Sequence, residues 1–202
     1  MGRSRELIKR FKDYADCADA AYAMLHYVYE SIDSANPKKK WEEADKLTLG
    51  YKLKADIEIK DKKGETTYTI AKGNNTAYAR AIEARFNQDK VIGKEGDWCV
   101  PFTKACLSSK DKTLANDPKN VKPTDALSQH TIKFVRRFKL LHHQPNTYSG
   151  FSGTLFEDTQ DSNQKIMVFR GTEPSDTGDL KTDARMALGH IPQGQYNDML
   201  RF

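Results

Sequence analysis

From Lys165 to Tyr196 the chain reads KIMVFRGTEPSDTGDLKTDARMALGHIPQGQY, and this stretch restricts the possible folds more than any other. An apolar run, Ile166 to Phe169, stops at Arg170-Gly171-Thr172-Glu173. A Pro/Ser/Asp/Gly loop follows, and helical spacing begins at about Asp179. Strand, tight turn, loop and helix is the layout in which α/β proteins hold polar groups at the carboxyl end of a strand. Just upstream, Gly150 to Glu157 (GFSGTLFE) reads as a strand and Asp158 to Gln164 as a polar turn. The two strands are close enough in sequence to be antiparallel neighbours.

The rest of the chain supplies helices and one clear hairpin. Leu7, Phe11, Tyr14, Ala18, Tyr22, Leu25, Tyr29 and Ile32 recur at helical spacing, which predicts one long amphipathic helix from about Arg5 to Ile32. Such a stripe suits a dimerising coiled coil or a helix laid over the chain's own core. The small Ala18 and Ala21 favour the second. Tyr51 to Lys60 alternates apolar and charged residues, Asp61-Lys62-Lys63-Gly64 offers a turn, and Glu65 to Ala71 returns, so a β-hairpin is predicted over 51–71. Gly73 to Thr76 caps a helix carrying Tyr78, Ile82 and Phe86. Residues 93–123 read as a long surface excursion with one helical turn near Phe102 to Leu107. A further helix opens at Pro123-Thr124-Asp125 and carries Leu127, Phe134, Val135, Phe138 and Leu141. Its other face is basic (Lys133, Arg136, Arg137, Lys139), so the segment 131–141 could lie on an anionic membrane or simply be solvated. His142-His143 then reads as a helix end; adjacent residues point apart on a helix, and no HxxxH completes a metal site.

Composition narrows the class. The 202 residues allow one domain; 38% are hydrophobic, 30% charged, and 20 are aromatic, which argues for a modest core with long loops and against disorder. Mean hydropathy is −0.77. There is no run of 18 apolar residues and no secretory h-region in MGRSRELIKRFKDYADC, so a cytoplasmic protein is the default expectation, with a secreted effector also compatible. Cys17, Cys99 and Cys106 form no CxxC pair and are expected to be free thiols, although Cys99 and Cys106 could meet. Residues 151–202 hold 5 Lys/Arg against 8 Asp/Glu, leaving the basic excess in the first 150. That excess is too diluted for a dedicated nucleic-acid binder, and no cofactor or metal motif is present.

GFSGTLFED, then KIMVFRGTEP, then DLKTDARMALGHIPQGQY resembles the front of a class 3 lipase-like α/β-hydrolase, in which a strand ends in FRG(T/S) and a lid-bearing loop and helix follow. The likeness spans about Ser149 to Tyr196. It implies an incomplete α/β-hydrolase-like fold: one domain over 1–202, with mixed α+β structure in 1–145 and the start of the hydrolase core in 146–202. It also implies that Thr172 contributes to an oxyanion hole, that 174–188 takes the lid's place with Asp179 and Asp183 in support, and that the substrate is a lipid or carboxyl ester. For Asp179, stabilisation of a helix N-terminus is an equally good account.

The resemblance lacks its nucleophile. No GxSxG elbow occurs. The nearest string, Gly150-Phe151-Ser152-Gly153-Thr154, precedes the FRGT strand and is followed by no helix, which makes Ser152 a weak nucleophile candidate. Cys99, with His130, His142 or His143, is another candidate without supporting spacing. Apolar Tyr196, Met199, Leu200 and Phe202 near the last residue suggest the N-terminal part of a longer hydrolase, from a split or frameshifted gene or a retained remnant. The expectation is an ester-hydrolase ancestor inactive on its own. The alternative is a non-enzymatic module binding a protein or an anionic membrane through the basic helix 131–141.

Overall fold

A computed structural model describes residues 2–29, 51–60, 63–99, 106–161, 164–170 and 193–202. The described elements are mixed helices and small antiparallel sheets. In order they are α1 (Gly2–Ala20), α2 (His26–Tyr29), β1 (Ile57–Lys60), β2 (Thr66–Ile70), α3 (Ala77–Phe86), β3 (Val91–Cys99), β4 (Cys106–Thr113), a 3-10 turn (Pro118–Asn120), α4 (Gln129–Arg137), β5 (Phe138–Gln144), β6 (Gly153–Asp158), β7 (Lys165–Phe169) and α5 (Gln193–Arg201). The strands form two hairpins, β1-β2 and β3-β4, and a three-stranded meander, β5-β6-β7. Among the described residues every strand pairing is antiparallel.

The core lies between the helices and one face of the meander. Phe138, Leu140 and Phe156 of the sheet are buried there, with Ile166 and Val168 packed against them. Phe134 of α4 meets Phe86 edge-on at 5.3 Å, Phe138 at 5.0 Å and Phe156 edge-on at 5.8 Å. These geometries suit the quadrupoles of aromatic rings. α3 is buried from Ala77 to Ala84 because its alanines let neighbours approach closely. Its N-terminus is closed by Thr76, whose hydroxyl accepts from Ala79 N. Tyr78, fully buried, donates to the Phe138 carbonyl at 2.9 Å and joins α3 to the start of the sheet.

The N-terminal helix departs from its predicted course. α1 stops at Ala20, and the chain tightens through i→i+3 hydrogen bonds from Tyr22 to Asp19 and from Ala23 to Ala20 before α2 begins. No breaker residue stands there. Tertiary contacts override helix propensity: Leu25 and Val28 turn into the core, and Asn116 Nδ2 donates to the Tyr22 carbonyl at 3.0 Å. The apolar stripe is also buried only in part, since Leu7 (52%) and Phe11 (62%) remain exposed. What fastens α1 is an acidic row at i, i+3 and i+6. Asp13 pairs with Arg137 at 2.8 Å, Asp16 lies 3.2 Å from His130 Nε2, and Asp19 pairs with Arg85 at 2.7 Å.

Three further expectations are corrected. The first hairpin spans Ile57–Lys60 and Thr66–Ile70 only; 51–56 is bent, with Lys52 at φ 45°. The excursion over 93–123 contains the β3-β4 hairpin, in which Trp98 faces Leu107 and Cys99 faces Cys106 across the ladder. Its strands lack apolar alternation, so no period announces them; residues 100–105, with most of the proposed helical turn, lie outside the described residues. Finally, the basic helix 131–141 does not exist as one element. α4 is capped by Ser128, whose hydroxyl accepts from Thr131 N, and ends at Arg137; Phe138 to Gln144 is strand β5. Lys139 therefore sits on the sheet, and Arg137 is held by two carboxylates, leaving Lys133 and Arg136 as the exposed cations of α4. Among the described residues no helix is long and apolar enough to cross a membrane.

Candidate functional site

The described part of the FRGT strand ends at Arg170, whose backbone lies beside Ser152. Alternation along β7 sends Ile166, Val168 and Arg170 toward the helices and leaves Met167 (50%) and Phe169 (47%) exposed on the outer face. Arg170 N donates to the Ser152 carbonyl at 3.1 Å, extending the β6-β7 ladder past Phe169. Its guanidinium lies over the Tyr22 ring, 5.1 Å from the centroid, which links the strand end to the turn after α1.

His143 lies in the same inner layer. It is 5% exposed, and its Nδ1 shares a 2.9 Å hydrogen bond with Thr154 Oγ1. Nε2 is buried without a hydrogen-bond partner among the described residues. Burial lowers its pKa to about 3, and the charges of Arg170, His26 and His142 act in the same direction. A neutral imidazole is therefore the resident form. His142, one residue earlier, is exposed and faces outward, 5.0 Å from the Phe202 ring.

On the outer face, a groove of about 310 Å³ opens between the sheet and α5. Its lining includes Phe151, Phe169, Tyr196 and Met199, together with Ser152 and Arg170. Two contacts toward its C-terminal end hold α5 to the sheet. Ser149 Oγ donates to Asp198 at 2.6 Å, and Phe202 packs on Phe151 at 5.9 Å. The hydrogen bonds from Ser149 and Thr147 hold the Asp198 carboxyl below its usual pKa. A Cβ on Gly153 would stand 3.2 Å from the Phe151 ring and 3.3 Å from the Phe202 ring, so a larger residue there would require both rings to shift.

Thr172, Asp179 and Asp183 lie outside the described residues. Ser152 is buried, and its hydroxyl donates to the Gln144 carbonyl at 2.9 Å, a contact that stitches β6 to β5 and supplies no base. Cys99 closes β3, whereas His130 belongs to α4 and His142 and His143 to β5. Among the described residues no cluster of three or more His, Cys, Asp or Glu is arranged to hold a metal ion. The sequence reading missed two features. One is the inward His143. The other is the buried network in which Arg137 grips Asp158 through Nε and Nη2 and reaches Asp13. Burial pushes the Asp158 carboxyl up, but the Arg137 hydrogen bonds and the Gln160 amide outweigh it and hold its pKa below the usual value. The same pairing raises the pKa of Arg137.

No family model, curated protein or solved structure matches this chain.

Proposed function

We propose that the chain carries the front of a class 3 lipase-like α/β-hydrolase, and that the groove beside Arg170 takes the acyl part of a lipid or carboxyl ester. The observation that carries the reading is the adjacency of an apolar groove, walled by Phe151, Phe169, Tyr196 and Met199, to the strand end that leads into Gly171-Thr172. An acyl chain gains free energy by leaving water for such walls, at about 0.8 kcal/mol per CH₂. A donor at Thr172 would serve the charge that develops during ester hydrolysis, an interaction worth about 3 kcal/mol in such sites. Ser152 does not supply the nucleophile that this donor would assist, since its proton is given to a backbone carbonyl. Residues 1–202 are accordingly binding-competent and hydrolytically silent.

The test pairs two measurements on the purified chain. Displacement of a fluorescent fatty acid by laurate should be observed, and Met199→Asp should weaken it about tenfold, equivalent to 1.4 kcal/mol. Short-chain nitrophenyl esters should be hydrolysed no faster than in buffer. Absence of acyl binding, or turnover that disappears in Ser152→Ala, would overturn the reading.

A further inference from the structure

α1 sits on the molecule with its acidic side inward. Asp13, Asp16 and Asp19, which contact Arg137, His130 and Arg85, mark the side that meets the body, and Cys17 and Ala20 beside them in sequence are buried. At about 100° per residue, Leu7, Phe11 and Tyr14 fall about half a turn away from that row. The apolar stripe that would ordinarily cover a core therefore points away from one. Leu7 and Phe11 are exposed, and so are Ile8 (67%) and Tyr14 (40%) at the margins of the stripe.

Those margins are basic. Every residue from 4 to 12 is exposed, and Arg5, Lys9, Arg10 and Lys12 stand there against Glu6 alone. The same angular spacing puts Lys12 and Arg5 along one edge of the stripe, next to Ile8, and Arg10 along the other, next to Tyr14. The acids of the second half of the helix are turned to the body and matched by its cations, so they do not offset this charge. An apolar stripe bracketed by long cationic side chains is the pattern of a helix that lies in the plane of a membrane surface. Its apolar groups enter the acyl boundary, and Lys and Arg stems run along them to carry their charges to the lipid phosphates. A second copy of the chain fits this face less well. From Leu7 to Tyr14 the stripe is about 12 Å long and about 10 Å wide, far short of the about 800 Å² that each partner of a stable dimer covers. Pairing two copies would also set basic margins against each other.

We propose that the outward face of α1 docks on an anionic phospholipid bilayer, with Leu7, Ile8 and Phe11 entering the acyl boundary and Arg5, Arg10 and Lys12 meeting the head groups. The body stays folded during docking, because the ion pairs that hold α1 lie on its opposite side. None of the residues lining the groove beside Arg170 belongs to α1, so this surface stands whether or not the groove takes an acyl chain.

The experiment sediments the intact folded chain with vesicles of phosphatidylcholine alone and with vesicles containing about 30% phosphatidylserine, at about 0.1 M and about 0.5 M salt. Binding to the anionic vesicles should exceed binding to the neutral ones at least about tenfold, and should fall at least about tenfold at the higher salt. Phe11→Asp should weaken it about tenfold, as should Arg5→Glu combined with Lys12→Glu. All three positions are exposed, so both variants should keep the parental urea midpoint, the check that the fold is intact. Equal binding to the two vesicle types would overturn the proposal. So would binding unaltered in either folded variant, or a dimer at micromolar concentration that Phe11→Asp dissociates, since a second copy would then occupy the face.

Discussion

Replacing His143 with Gln should remove much of this chain's loss of stability between pH 7 and pH 5. The folded imidazole has its pKa lowered from 6.5 to about 3, with burial as the main cause. In the unfolded chain it titrates normally, so between these values the unfolded state binds more protons than the folded state. The stability contribution of neutral His143 is therefore complete above pH 6.5 and is lost as the pH falls toward 3. Linkage gives a cost of about 0.2 kcal/mol at pH 7 and about 2 kcal/mol at pH 5. With a urea dependence of about 2 kcal/mol per molar for a chain of this size, the unfolding midpoint should fall by about 1 M from this residue alone. His143→Gln places a neutral amide at this position and does not titrate. Urea unfolding of both proteins at pH 7 and pH 5 isolates the effect, since His130, His142 and every carboxylate are common to the two. If the variant loses as much stability as the parent over this interval, the buried neutral imidazole is not the cause.

Two further outcomes test the packing. Arg137→Ala should destabilise by about 3–5 kcal/mol in urea unfolding, because it leaves the buried Asp158 carboxylate without its counter-charge; the double change Arg137→Met with Asp158→Leu should recover part of the loss. Ser128→Ala should cost about 1 kcal/mol in thermal unfolding, through loss of the cap on Thr131 N.

The sequence could be read where a period repeats over enough residues. Thr76 and the Tyr78/Ile82 spacing announced α3, and the alternating apolar residues announced β6, β7 and the pairing between them. It failed where a short element lacked a period or where one element ran straight into another. Phe134, Val135 and Phe138 fit a helical stripe, yet the helix ends at Arg137 because Lys139 and Leu140 find ladder partners in Glu157 and Phe156. At the corner, strict alternation from Phe138 and Leu140 would have sent His142 inward. A register shift between Leu140 and His142 inserts Leu141, reverses the parity and buries His143 instead.

Composition and local pattern thus determined by themselves that the chain is a mixed α and β protein with a strand that stops before Arg170, because hydrophobic period and turn chemistry act over a few neighbouring residues. Only the tertiary structure decided which charges are paired. Asp13, Asp16 and Asp19 look like a solvated helix face until Arg137, His130 and Arg85 arrive from 66 or more residues away. Whether a charge can be buried depends on a partner that local sequence does not name. The same holds for Cys99 and Cys106: the ladder, not their spacing, sets them opposite each other.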